Sequence, residues 1–95
     1  MNNNSVPAKG GSVSGGKKVE IYSTESCHFC HMAKEFFAAN NVSFTNYNVG
    51  ADAAKRNEMI EKSGQMGVPV IVIDDKDIVV GFDQNKLSEF LGIKS

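Results

Sequence analysis

Only two cysteines occur among the 95 residues. Small disulfide-stapled domains carry more, and Cys27 and Cys30 enclose too short a loop for a useful staple. A structural disulfide is therefore not expected. Charge of either sign is nearly balanced, with a formal net charge of -1. That gives no electrostatic ground for a nucleic-acid partner or an anionic membrane surface. Apolar runs stay short of the roughly 18 residues that cross a bilayer. The first residues, MNNNSVPAKGGSVSGG, lack the apolar stretch of a secretory signal. A cytoplasmic protein is expected, and no internal repeat is seen.

Residues 1–16 are too poor in apolar side chains to offset their ordering entropy, so they read as a flexible tail. Residues 17–95 read as one small domain. Lys18 to Tyr22 alternates polar and apolar with β-branched residues, the pattern of a strand. From Cys27 the spacing of Cys30, Ala33 and Phe37 becomes helical, and Asn40-Asn41 closes that helix. Val42 to Val49 reads as a second strand. Asp52 is the N-cap expected for a helix to Ser63, with Gly64 past its end. Val70 to Ile73, opened by Pro69, has the composition of a strand covered on both faces. Asp74 to Asp77 reads as a turn into the short strand Ile78 to Val80. Asp83 caps a last helix that Gly92 ends. The order β-α-β-α-β-β-α predicts an α/β domain of thioredoxin fold, a four-stranded mixed sheet with three flanking helices.

Both cysteines and both histidines lie in Ser26-Cys27-His28-Phe29-Cys30-His31. Three chemistries share this spelling. As a redox dithiol, Cys27 would sit at a helix N-terminus, where free amides and the helix dipole favour an anion. Cys30, one turn on and less exposed, would resolve the mixed disulfide. As a haem anchor, Cys27-x-x-Cys30-His31 fits C-x-x-C-H, with Met59 or Met66 as candidate axial partner. The β-rich remainder leaves little room for a haem crevice. As a zinc site, the stretch lacks a second ligand pair elsewhere, and adjacent side chains on one turn surround an ion poorly. Two inert core cysteines are the bland reading. His31 reads as a solvent-facing helix residue, and His28 as a cation that would favour the Cys27 thiolate.

Glu20-Ile21-Tyr22-Ser23-Thr24-Glu25-Ser26-Cys27-His28-Phe29-Cys30, Gly67-Val68-Pro69 and Gly81-Phe82-Asp83 together resemble the glutaredoxin family. The likeness spans about residues 18–92 and extends to the small redoxins that serve ribonucleotide reductase. It implies a thiol–disulfide oxidoreductase with Cys27 as nucleophile and Cys30 as resolving cysteine. It implies glutathione as co-substrate, no permanently bound cofactor or metal, and disulfide-containing or glutathionylated proteins as partners of a monomer. Phe29 matches the aromatic that lines the glutathione groove. Val68 and a cis Pro69 match the pair that binds the cysteinyl part of a thiol peptide, by backbone pairing in the manner of an added strand. Phe82 and Asp83 match the pair that holds the γ-glutamyl end.

The sequence also departs from the family's pattern. His28 replaces the usual proline, and Thr24 stands where a lysine or arginine usually holds the glycyl carboxylate. Gly81-Phe82 is closer to redoxins fed by thioredoxin reductase, so that electron donor remains an alternative to glutathione. Some such relatives carry selenocysteine at the nucleophile position. An iron–sulfur cluster or metal-binding redoxin module is the alternative from another class, and a non-catalytic binding domain the plainest one.

Overall fold

The computed structural model describes residues 17–93. The flexible tail expected for residues 1–16 lies outside the described residues. Seven elements follow in the expected order: β1 Val19–Ser23, α1 His28–Ala39, β2 Thr45–Asn48, α2 Ala53–Ser63, β3 Val70–Ile73, β4 Asp77–Val80 and α3 Gln84–Leu91. The strands form one mixed sheet in the order β2-β1-β3-β4. β1 runs parallel to β2, from Glu20 beside Thr45 to Ser23 beside Asn48. It runs antiparallel to β3, which pairs antiparallel with β4. This is the thioredoxin arrangement.

Period-two alternation divides the core into two layers. Val19, Ile21, Ile71, Ile73 and Val79 meet Ala33 and Phe37 of α1 and Leu87 and Leu91 of α3. Tyr22, Val70 and Val72 meet Met59 of α2 on the other face. Each large apolar side chain buried this way contributes about 1.5–3 kcal/mol. The helices stop where the residues require it. Asp52 and Asp83 cap the starts of α2 and α3 through their side chains, and Gly64 and Gly92 end them in the left-handed region.

Three expectations need correction. β1 does not alternate between core and solvent: all five of its residues are buried, with Glu20 only 3% exposed. Its carboxylate tolerates this because the Tyr47 hydroxyl donates to Glu20 Oε2 at 2.7 Å and the Lys18 ammonium lies 3.9 Å from the same oxygen, while Oε1 has no partner. Burial, followed by that bond, pushes the Tyr47 phenol up to about 12. The second strand is Thr45–Asn48 rather than Val42 to Val49. The Val42 amide donates instead to Phe37 O at 2.8 Å, which closes α1 and takes that residue out of the ladder. The turn is also one residue shorter than expected, because Asp77 already belongs to β4. Asp74 and Asp75 hold φ values of 56° and 58°, the left-handed geometry that Asp tolerates in a tight turn.

These registers bring the strand ends together. The carboxyl ends of β1 and β2, the start of β3 and the end of β4 lie at one edge of the sheet. The candidate residues of the site sit there, in a loop that leaves it, or in the first turn of α1.

A second polar cluster lies under α2. Tyr22 donates to Glu58, which also pairs with Lys55 at 3.3 Å and Lys62 at 3.5 Å. Tyr47→Phe leaves the carboxylate of Glu20 buried without its donor, whereas Tyr22→Phe leaves Glu58 with two lysines and solvent. The expected loss is about 1–3 kcal/mol for Tyr47→Phe and less for Tyr22→Phe. Urea denaturation at neutral pH measures both, and equal losses would show that the burial of Glu20 does not set the cost.

Candidate active site

β1 ends at Ser23, and three residues carry the chain to the N-cap of α1. Ser23 is held on both sides: its Oγ donates to Asn46 Oδ1 at 2.6 Å, and its carbonyl accepts from Val49 N–H at 2.9 Å. The loop therefore leaves from a fixed point. Cys27 then takes the N-cap of α1 with extended backbone, φ -84° and ψ 113°. N-caps are usually oxygen-bearing side chains that accept an amide of the first turn. Here the sulfur fills that role, accepting from Cys30 N–H at 3.1 Å. An acceptor at this position becomes a better one when ionised, because unpaired amides and the helix dipole both favour negative charge.

Cys27 is half-buried and Cys30 fully buried, and both are free thiols. Burial is the first reason that the Cys30 thiol is pushed up to about 12. Its hydrogen bond to Cys27 adds to the rise, and a backbone hydrogen bond from Thr24 opposes it. The pair thus divides into a reachable sulfur with an amide donor and a hidden one held protonated. The bland reading of two inert core thiols fits Cys30 and not Cys27.

Across from the dithiol, the Val68–Pro69 bond is cis, with Val68 half-buried and Pro69 buried. The Pro69 carbonyl accepts from Gly81 N–H at 2.8 Å, which ties this loop to the bend before α3. Gly81 has φ 83°, a conformation that favours glycine there. Sequence reasoning missed Gln65. Its amide donates to Gly67 O and accepts from Gly67 N–H, both at 2.9 Å, so it clips the chain just ahead of Val68. The only signal was an amide side chain two residues before a glycine.

The other candidates separate. Phe29 is 57% exposed, and the exposed His28 ring lies edge-on to it at 5.7 Å. Thr24 lines an open groove of about 480 Å³ with Glu25, Ser26, Asn48, Gly50 and Ala51. Phe82 does not stand free: its ring packs against Phe36 of α1 at 5.8 Å. Asp83 accepts from Lys86 N–H at 3.1 Å as the cap of α3. His31 is exposed, as its helical position predicts, yet its ring makes a hydrogen bond to Glu25 O at 2.7 Å. Among the described residues no three His, Cys, Asp or Glu side chains converge on a metal site. No described helix is long and apolar enough to cross a membrane.

Comparison with known proteins agrees with this geometry. The family model described as Glutaredoxin matches residues 19–78. An uncharacterised glutaredoxin-like 8.6 kDa protein in the rubredoxin operon of Clostridium pasteurianum is 40% identical over 73 residues, covering 77% of this chain and 96% of that one. Glutaredoxin 3 of Escherichia coli K12 is 47% identical over 60 residues, 63% of this chain and 72% of its own. The crystal structure of a thioredoxin-like protein superposes with a TM-score of 0.73 at 36% identity, covering 78% of this chain and 100% of the other.

The buried thiol makes stability depend on pH. The folded state holds Cys30 near 12, above the ordinary 9.0, so it favours the neutral form. That contribution is complete below the ordinary value and is lost as pH rises from there toward the folded value. Reduced protein is expected to lose up to about 1.4 kcal/mol per pH unit just above the ordinary thiol range. Urea denaturation at pH 9 and pH 10 checks this. Cys30→Ala starts less stable and shows the flatter slope, and equal slopes would count against the assignment.

Proposed function

The chain belongs to the glutaredoxin family, and from that premise we propose that it is a glutathione-dependent thiol–disulfide oxidoreductase with Cys27 as its nucleophile. The family makes it a thiol oxidoreductase; glutathione as co-substrate and the residue roles are the proposal. The observation that carries it is the Cys27 sulfur at the N-cap of α1, bonded to the Cys30 amide at 3.1 Å, with the Cys30 thiol buried behind it.

The steps follow from that asymmetry. The Cys27 thiolate attacks one sulfur of a disulfide. A Cys27 mixed disulfide forms, and the other sulfur leaves as a thiolate that takes up a proton. With a glutathionylated protein, the glutathione sulfur stays on Cys27. A second glutathione thiolate then attacks that sulfur, releasing glutathione disulfide and the Cys27 thiolate. With a protein disulfide, Cys30 gives up its proton and attacks Cys27, forming the Cys27–Cys30 disulfide and freeing the reduced product. Two glutathiones then restore the dithiol. Because Cys30 is held protonated, the first attack belongs to Cys27.

In this reading the Val68 backbone pairs with the cysteinyl part of glutathione beside cis Pro69, and Phe29 lines the groove. Asp83 and the N-terminus of α3 receive the γ-glutamyl end, and the ring of Phe82 supports that bend through Phe36. Thr24 supplies a hydroxyl where a cation would hold the glycyl carboxylate. The protein works as a cytoplasmic monomer without a resident cofactor. A second reading, electrons from thioredoxin reductase for a partner such as ribonucleotide reductase, is favoured by Thr24 and by the inward packing of Phe82.

Glutathione-coupled reduction of a small glutathione mixed disulfide tests the proposal. Turnover should vanish in Cys27→Ser and persist in Cys30→Ser. Wild type without turnover under glutathione, but active with thioredoxin reductase, would replace the donor and keep the nucleophile. His28→Ala should make the disulfide less oxidising when equilibrated in glutathione redox buffers, and an unchanged equilibrium would remove His28 from the site.

A further inference from the structure

We propose that His31 is a positioning residue for Cys27: its ring holds the Glu25 carbonyl and so fixes the loop that aims the nucleophilic sulfur. The inference rests on Cys27 being the nucleophile.

Thr24, Glu25 and Ser26 form that loop, and its ties are unequal. Cys27 N–H donates to Thr24 O at 3.4 Å, and Asn48 Nδ2 reaches Glu25 Oε2 at 3.5 Å. Both lie at the long limit of a hydrogen bond. His31 Nε2–H donates to Glu25 O at 2.7 Å, shorter than either. The same residue also uses its backbone, since His31 N–H donates to Cys27 O at 3.2 Å. One helical residue therefore grips the carbonyls on either side of Ser26. The sulfur's own bond to Cys30 N–H depends on where Cys27 leaves the loop. A loop freed at Glu25 spreads the directions of that sulfur, and each departure weakens the amide–thiolate bond.

The acceptor is a carbonyl, so the ring must carry hydrogen on Nε2. The neutral tautomer with that hydrogen and the imidazolium both do. The grip therefore needs a donor at the right reach, not a charge. Glutamine has its Nε2 the same number of bonds from Cα and can replace it, whereas asparagine is one bond short.

The test is the rate of Cys27 alkylation by iodoacetamide at pH 7, in full-length protein, with circular dichroism as the check on folding. His31→Ala and His31→Asn should react about threefold to tenfold more slowly than wild type, the range of one net hydrogen bond. His31→Gln should restore the rate to within about twofold. The deficit of His31→Ala should survive 1 M salt, where charge effects are screened beyond about 3 Å. A His31→Gln rate as slow as that of His31→Ala overturns the proposal. So does a deficit that disappears in salt, which would make the ring a charge. Wild-type Cys27 that fails to react at pH 7 overturns the nucleophile assignment itself, a different result from wild-type reactivity that His31→Ala leaves unchanged.

Discussion

A sulfur in the place of a helix cap is the constraint on which the rest depends. Cys27 must leave β1 with extended backbone, accept an amide from the first turn and still face a substrate. An oxygen cap would hold the helix as well and do no redox chemistry. The use of sulfur makes the start of α1 and the chemistry of the site one structure. Cys30 completes it, because the residue whose amide serves the cap is also the one whose thiol is buried. Ala33 and Phe37 continue the same buried face into the core. Repacking there would move the Cys30 sulfur together with the helix.

The opposite wall is built by a different device. Pro69 opens β3, the Gly81 amide bonds its carbonyl, and Gln65 clips the chain at Gly67. None of these contacts involves charge. They are short-range bonds between backbone groups or between a neutral amide and backbone, so ionic strength has little hold on the shape of the wall. Charge is kept under α2 and at the hairpin, where Lys55, Lys62, Glu58 and Asp75 pair. Ionisation at the thiols is in this way separated from the ionic pairs that brace the sheet.

What was legible in the sequence was local. Asp52, Gly64, Asp83 and Gly92 mark helix ends because a cap acts within one turn, and the structure uses all four as read. The run Val70 to Ile73 announced a strand buried on both faces, and it is one. The misreadings turned on partners outside the stretch being read. Glu20 looked like the solvent side of an alternating strand, because its donor, Tyr47, is 27 residues away. Val42 looked like strand, because its amide bond to Phe37 is a matter of how α1 stops. Cys27 and Cys30 could be named from spacing, with Cys30, one turn on, as the less exposed of the two; how completely it is buried could not be read. Phe82 was visible as a motif residue, while its turn toward Phe36 depends on the packing of α1. His31 offered two true readings at once: exposed, as its position on the helix implies, and engaged, which only the path of the loop reveals.

The uncharged contacts of the Pro69 wall bear on the choice of electron donor. A free tripeptide with two carboxylates has little apolar surface, so its affinity must come largely from hydrogen bonds and charge. Thr24 offers a hydroxyl where a cation would be worth more, and Asp83 is already engaged as a cap. A folded protein partner is held differently. It can cover the exposed Phe29 and Met66 and does not depend on a single carboxylate pocket. Weak binding of glutathione would lower its occupancy without changing the attack of Cys27, because the sulfur is set by the cap and the loop rather than by the groove. On the proposed reading, the departure at Thr24 therefore acts on which thiol reaches the site, while Cys27 and Cys30, with His28 beside them, determine what happens to a disulfide once it is there.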